Sequence, residues 1–158
     1  MQIVLRKEKL RLVFLAVAVI AVLASACQSG PPQISIEGAK AELSGAIIGE
    51  AMVTMTIRNQ GGPDVLTAVK TDLAGVKTTF HVMQGERMVE TDSVKIPEKS
   101  TVELKMGGSH IMLTDMQKNV TAGAKFKLSL FFQKSGEKKL DLALQPAAAM
   151  PMGHEHHM

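Results

Sequence analysis

Apolar and polar residues alternate in short stretches between residues 34 and 145 of the 158-residue chain. In residues 53–57, 102–106, 126–130 and 140–144, every second side chain is apolar. Successive side chains of a strand point to opposite faces, so this period of two predicts strands that each bury one face. No long stretch has the 3.6-residue period of an amphipathic helix, and residues 115–119 are expected to form at most one helical turn.

Clusters of turn-forming residues separate these stretches at residues 59–64, 97–100, 107–109 and 135–138. Short strands joined by frequent turns predict an antiparallel β-sandwich or barrel. About 130 residues follow the apolar N-terminal segment, which is enough for one domain with its own core. We therefore expect a single all-β domain over residues 34–145.

The first 26 residues have the pattern of a signal peptide. Four basic residues within positions 6–11 precede an unbroken apolar stretch over residues 12–24, which is shorter than the roughly 20 residues of a membrane-spanning helix. Residues 23–27, Leu-Ala-Ser-Ala-Cys, resemble a bacterial lipobox, in which the cysteine is acylated. We expect an exported protein in the periplasm or on the outer face of the cell membrane, held there by lipid on Cys27 and a tether over residues 27–33. Cleavage by ordinary signal peptidase after residues 24–26 is the alternative, and it would release a soluble protein.

Cys27 is the only cysteine of the chain. An intramolecular disulfide and a Cys-x-x-Cys centre are therefore impossible, which excludes a thiol–disulfide oxidoreductase. A blue-copper electron carrier is excluded as well, because its site needs a cysteine thiolate beside two histidines. A soft metal in this domain has to be held without thiolate.

The basic character of the whole chain comes from its N-terminal segment. The net charge is +3, but residues 28–158 contain fourteen basic and fourteen acidic residues. The mature protein is close to neutral, so the charge gives no reason to expect a nucleic-acid partner.

Histidine and methionine form two short units in the second half of the chain. The units are His81-Val82-Met83 and His110-Ile111-Met112, and Met88 lies between them. In a strand, residues two apart share a face, so each unit can direct an imidazole and a thioether to one point. Copper(I) is a soft ion that thioether and imidazole ligands suit, which makes it the candidate metal.

Methionine at alternating positions more often fills a hydrophobic core, and an isolated histidine is usually a satisfied polar residue. Core packing is therefore the expectation for four other methionines, Met52, Met55, Met106 and Met116.

Several stretches around these units match one known family. Twenty-one residues separate Met88 from His110, residues 110–113 read His-Ile-Met-Leu, and Gly-Gly-Ser precedes that histidine. With residues 36–39 and 53–59, these features resemble the periplasmic copper chaperone family PCu(A)C over residues 36–130. The family pattern is His, then Met, then twenty-one residues, then His-x-Met. Two departures are a shorter loop, with six residues between His81 and Met88, and Lys40 in place of a common Trp.

The resemblance implies a cupredoxin-like antiparallel β-sandwich that binds copper(I) through two histidines and two methionines. The implied ligands are His81, Met88, His110 and Met112, and Met83 is a substitute or an additional ligand. The implied role is copper delivery to a client, a cytochrome oxidase subunit or assembly factor, with the CuA site of cytochrome c oxidase as the destination.

Residues 146–158 are rich in Pro, Ala, Met and His and lack the residues to build a core, so a flexible tail is expected. The tail carries His154, His156 and His157, and imidazole-rich tracts favour copper(II). A second, looser copper(II) site is therefore predicted there.

The sequence contains no nucleophile–base pair and no paired-carboxylate motif, and we do not expect an enzyme. Two other functional classes stay open. One is a copper-sequestering envelope lipoprotein without a dedicated client, and the other is an adhesion or scaffold domain in which the His/Met pattern is incidental.

Overall fold

A computed structural model describes residues 30–117 and 120–147, and these residues form ten β-strands and no helix. The strands are β1 (Ile34–Leu43), β2 (Ala51–Asn59), β3 (Asp64–Thr71), β4 (Lys77–Gln84), β5 (Arg87–Thr91), β6 (Val94–Ile96), β7 (Ser100–Leu104), β8 (His110–Thr114), β9 (Lys125–Phe132) and β10 (Gly136–Gln145). The predicted signal peptide, Cys27 and the tail histidines lie outside the described residues. Within the described part of the chain, no helix is long and apolar enough to cross a membrane.

The strands follow the order β5-β4-β8-β2-β1-β10-β9-β3-β6 in one sheet, and β7 pairs with β2 beside β8. We call β5, β4, β8, β7, β2 and β1 the first half-sheet, and β10, β9, β3 and β6 the second. The two halves join where β1 and β10 pair in parallel, and all other described strand pairs are antiparallel. The prediction of an all-β, cupredoxin-like fold is confirmed, with one parallel pair in a mixed sheet.

One hydrophobic core is shared by both half-sheets. Strand β2 shows how it forms, because buried and partly exposed residues alternate along it from Ala51 to Ile57. The largest fully buried side chains come from both halves: Val53, Ile57, Leu66, Ile96, Ile111, Leu113, Leu128, Leu130 and Leu144. Burying an aliphatic side chain of this size contributes about 1.5–3 kcal/mol, so this core is the main source of stability.

A buried asparagine fastens three segments at one end of the first half-sheet. The Asn59 amide nitrogen donates to the carbonyl oxygens of Gly62 and Pro97, at 2.7 and 2.8 Å. Its Oδ1 accepts from the backbone N–H groups of Gln33 and Gly61, at 3.1 and 3.0 Å. All four hydrogen-bonding positions of the amide are therefore used, as a buried polar group requires.

Asp64 has a similar role where β3 begins. Its Oδ1 accepts from the N–H groups of Val65 and Lys134, and its Oδ2 accepts from the N–H and the hydroxyl of Ser135. Burial raises the pKa of Asp64, but the hydrogen bonds from Ser135, Lys134 and Val65 together lower it further, so the net pKa lies below its ordinary value. The carboxylate thus holds the β9–β10 turn against β3.

Candidate metal site

Two histidines face each other across the antiparallel pair of β4 and β8. His81 lies directly opposite His110 in the strand register, so both side chains point to the same face. Their ring centroids are 5.2 Å apart, with 63° between the ring planes. Their neighbours Phe80 and Ile111 are buried, so the histidines lie on the outer face of the first half-sheet.

A backbone carbonyl fixes the tautomer of His110. The ring Nδ1 lies 2.8 Å from the carbonyl oxygen of Gly108. Because a carbonyl oxygen only accepts hydrogen bonds, Nδ1 carries a proton, and in the neutral imidazole the lone pair is therefore on Nε2. His110 is only 7% exposed, so its ring is held in place by packing as well. Metal-binding histidines are commonly oriented by such a hydrogen bond from the other ring nitrogen.

His81 is held less firmly. Its Nε2 lies 3.4 Å from the hydroxyl of Thr79, which is long for a hydrogen bond, and the residue is only partly buried. Glu90 lies opposite His81 on β5 and is exposed. His81 therefore has the weaker hydrogen bond and is the more accessible of the two imidazoles.

Methionines flank the histidine pair on both sides along the strands. On one side, Met112 follows His110 by two residues and lies opposite Met52 of β2 and Thr79 of β4. On the other side, Met83 follows His81 by two residues and lies opposite Met88 of β5. The register places Met83, Met88 and Met112 on the same outer face as the histidines. We call the surface formed by His81, His110, Met83, Met88 and Met112 the His/Met face.

The thioethers of the His/Met face differ in exposure. Met112 is partly buried, whereas Met83 is 38% exposed and Met88 is 40% exposed. In the register, Met83 is diagonal to His110, while Met88 is one strand farther from it. Both thioethers are adjacent to His81, so the strand geometry is compatible with either methionine, or both, serving as a metal ligand together with His81.

The other methionines of the described residues divide into two groups. Met55 and Met116 are buried in the core, as predicted. The prediction of core packing is wrong for Met52, which is partly buried but lies opposite Met112 on the outer face. It is also wrong for Met106, which is 54% exposed. The alternating pattern over residues 102–106 led to that error, because β7 ends at Leu104 and Met106 lies in the following turn.

The loop before His110 is a structural element that periodicity alone does not predict. Ser109 accepts a hydrogen bond from the N–H of Met83 through its hydroxyl, at 3.1 Å, and so ties the loop to β4. The Gly108 carbonyl orients His110. The only sequence signal for these two contacts is the Gly-Gly-Ser segment itself.

No cluster of hard ligands accompanies the His/Met face in the described part of the chain. Among residues 30–117 and 120–147, no group of three or more His, Cys, Asp and Glu side chains could hold a metal ion. A groove of about 480 Å3 over β9 and β10 is lined by residues such as Asp72, Phe126 and Leu142 and includes neither histidine. The candidate site is an open surface on which two imidazoles are accompanied by thioethers.

Solved structures of PCu(A)C domains have the same fold. The copper-bound PCuAC domain from PmoF2 is 27% identical, covers 74% of this chain and 96% of its own, and has a TM-score of 0.62. The apo PCuAC domain from PmoF1 is 25% identical, with 75% and 99% coverage and a TM-score of 0.62. The copper(I) form of DR1885 from Deinococcus radiodurans, at 23% identity, covers 80% of this chain and 85% of its own, with a TM-score of 0.53. No curated protein sequence matches the chain.

These findings define the class of the protein as a PCu(A)C-type domain, and they confirm the resemblance seen in the sequence. Within that class, the sequence model of the LpqE-like lipoprotein family matches residues 34–144, which is more than half of the chain. The chain therefore belongs to the LpqE-like family.

Proposed function

We propose that the domain binds one copper(I) ion on the His/Met face and delivers it to a copper-accepting protein outside the cytoplasm. The ligands in this proposal are His81, Met88, His110 and Met112, with Met83 as a substitute or additional ligand. Copper is the cargo of the protein, so the site has to hold the ion and also release it.

The juxtaposition of the two imidazoles is the observation that carries this proposal. A metal–imidazole bond is about 2 Å long and the ligating nitrogen lies about 1.1 Å from the ring centroid, so a shared ion lies about 3.1–3.2 Å from each centroid. With centroids 5.2 Å apart, the angle at that ion is about 110° by this approximate geometry. Such an angle suits three- or four-coordinate copper(I), and methionines stand on both sides to complete the shell.

The chemistry of the ligands supports transport more than catalysis. Thioether sulfur is neutral, does not form disulfides and favours copper(I), which suits a compartment outside the cytoplasm. The exposed positions of Met83 and Met88 allow an incoming donor to displace one thioether at a time. Copper(I) then passes to the partner by ligand exchange, without transfer of an electron or a proton.

The family assignment supports an exported, membrane-attached protein. The LpqE-like family is described as a lipoprotein family, and Cys27 is the candidate acylation site. Attachment would keep the chaperone beside a membrane-bound client, and a cytochrome oxidase subunit or assembly factor is the partner in this proposal. Mass spectrometry of the native N-terminus should find diacylglycerol on Cys27, and an unmodified cysteine would contradict the anchor.

Competitive copper(I) titration of the full chain tests the ligand set. We expect 1:1 binding in the domain, and weakening of about tenfold or more for His110→Ala or Met112→Leu, since each substitution removes one proposed ligand. Met55→Leu is the matched control, because Met55 is buried in the core and the substitution nearly conserves volume. Affinities of the ligand variants equal to that of the control would contradict the proposed site.

The tail is proposed to hold copper(II) separately from the domain. Substitution of His154, His156 and His157 by alanine should abolish this copper(II) binding and leave the domain's copper(I) affinity unchanged. If the same variant lost copper(I) binding in the domain, the two sites would not be separate.

A further inference from the structure

The five residues Lys105–Ser109 form a loop that leaves the first half-sheet beside the His/Met face. Strands β7 and β8 pair with the same edge of β2, where Leu104 lies opposite Met55 and Ile111 opposite Val53. Only Thr54 separates those two β2 residues, whereas six residues separate Leu104 from Ile111. The intervening residues therefore cannot all pair with β2. We call Lys105–Ser109 the inserted loop.

The inserted loop is closed and ordered by its own backbone. The N–H of Lys105 donates to the carbonyl oxygen of Ser109 at 2.6 Å, and the N–H of Gly108 donates to that of Lys105 at 3.0 Å. Gly107 has a φ of +72°, as the third position of a type II turn requires. This turn places Met106 at its second position, with its side chain 54% exposed.

Two contacts tie the inserted loop to the His/Met face. Ser109 accepts from the N–H of Met83, and Gly108 accepts from the ring of His110. Among the described residues, the exposed large hydrophobic side chains are Ile47, Ile48, Met83, Met88 and Met106. The three exposed methionines of this set thus belong to one continuous region, made of the β4–β5 hairpin and the inserted loop.

We infer that Met106 is a transfer ligand, a thioether that takes part in copper(I) release without belonging to the resting site. This inference rests on the proposed function. Before transfer, the ligands of copper(I) include His110 and Met112, which are the less exposed donors of the His/Met face. During transfer, a bond from copper(I) to the Met106 sulfur forms as the bond to an exposed resting thioether, Met83 or Met88, breaks. The ion stays copper(I) throughout, and the partner's own soft donor then displaces Met106.

The kind of partner follows from this geometry. A partner would approach over the β4–β5 hairpin and the inserted loop, where the most exposed of the described methionines lies. Because the donors on this side are thioethers, we expect a protein partner to offer a similarly soft donor, a thiolate or a thioether, to draw copper(I) onward.

The rate of copper(I) transfer from the full-length protein to bathocuproine disulfonate, followed by stopped-flow absorbance, tests the role of Met106. We expect Met106→Leu to slow transfer by about threefold or more while the equilibrium affinity changes less than that. Met106→Cys keeps a soft sulfur donor and should restore the rate. Met55→Leu, the same chemical change inside the core, should transfer at the wild-type rate, and equal thermal midpoints should show that the variants are folded.

Two outcomes would overturn the inference and leave the proposed function intact. One is a wild-type transfer rate for Met106→Leu. The other is a loss of copper(I) affinity in Met106→Leu as large as that in Met112→Leu, because Met106 would then be a resting ligand. A wild-type protein that binds no copper(I) in the domain would instead overturn the proposed function, and the inference with it.

Discussion

Asn59→Asp is expected to destabilise the domain strongly although the two side chains have nearly the same shape. The substitution keeps the oxygen that accepts from Gln33 and Gly61 and replaces the amide nitrogen by a second oxygen. That oxygen would lie where the nitrogen now donates to Gly62 and Pro97, at 2.7 and 2.8 Å. Two donated hydrogen bonds are lost, and a carboxylate faces two carbonyl oxygens.

The magnitude follows from the burial of each partner. The bond to Gly62 is buried, and leaving such an acceptor unpaired costs about 1–3 kcal/mol. The bond to Pro97 is part-buried, so its loss costs about 1 kcal/mol, since the hydroxyl of Ser100 still donates to that carbonyl. Repulsion adds to this cost, and the two retained bonds become charge-assisted and offset part of it. The net expectation is about 2–4 kcal/mol at neutral pH.

Urea unfolding at pH 7, followed by circular dichroism, measures the effect. The variant's midpoint should fall with little change in slope, because the surface area exposed on unfolding is nearly the same in the variant and the wild type. Ser100→Ala is the control, since it removes an exposed hydrogen bond to the same Pro97 carbonyl and should cost less than about 1 kcal/mol. An Asn59→Asp variant within about 0.5 kcal/mol of wild type would refute the claim that this amide fastens the three segments.

Three further predictions concern stability. Gly61→Ala should lower the free energy of unfolding, measured with a chemical denaturant, by about 1–3 kcal/mol, because the new methyl group would overlap the Pro31 carbonyl oxygen. Gly30→Ala is the control and should cost nothing measurable, because the space around Gly30 is open. Asp64→Ala should lower the free energy of unfolding by about 2–4 kcal/mol at pH 7. Because the native pKa of Asp64 is lowered, the stability difference between variant and wild type should shrink as the pH falls below 3.8, the ordinary pKa of the group. A pH-independent difference would contradict the role of the Asp64 charge. Leu128→Ala should cost about 2–5 kcal/mol by calorimetry, because the side chain is fully buried, and a smaller loss would mean that the core relaxes around it.

The strands were predictable wherever one face is buried. The alternation over residues 53–57, 126–130 and 140–144 coincides with β2, β9 and β10, because burial of every second residue fixes both the period and the strand. The parallel pairing of β1 with β10 was not predictable in this way. It joins residues about 100 positions apart, and a period of two carries no information about which strand lies next to which.

The candidate site was predictable in part. Spacing brought His81 and Met83 to one face, and His110 and Met112 to one face, but it could not show that the two units lie opposite each other. That depends on the register of β4 with β8. Met106 was predicted to be buried because the alternating pattern continues past Leu104, and only the space available along β2 shows that the chain leaves the sheet there.

X-ray absorption at the copper edge tests the central claim most directly, since it reports which atoms surround the ion. The sample is the full chain loaded with one equivalent of copper(I), with the tail histidines substituted by alanine and the tail methionines by leucine. We predict a shell that contains both imidazole nitrogen and sulfur, and a loss of sulfur scattering when Met83, Met88 and Met112 are all replaced by leucine. A shell of nitrogen and oxygen alone in the protein that retains these three methionines would contradict the His/Met site.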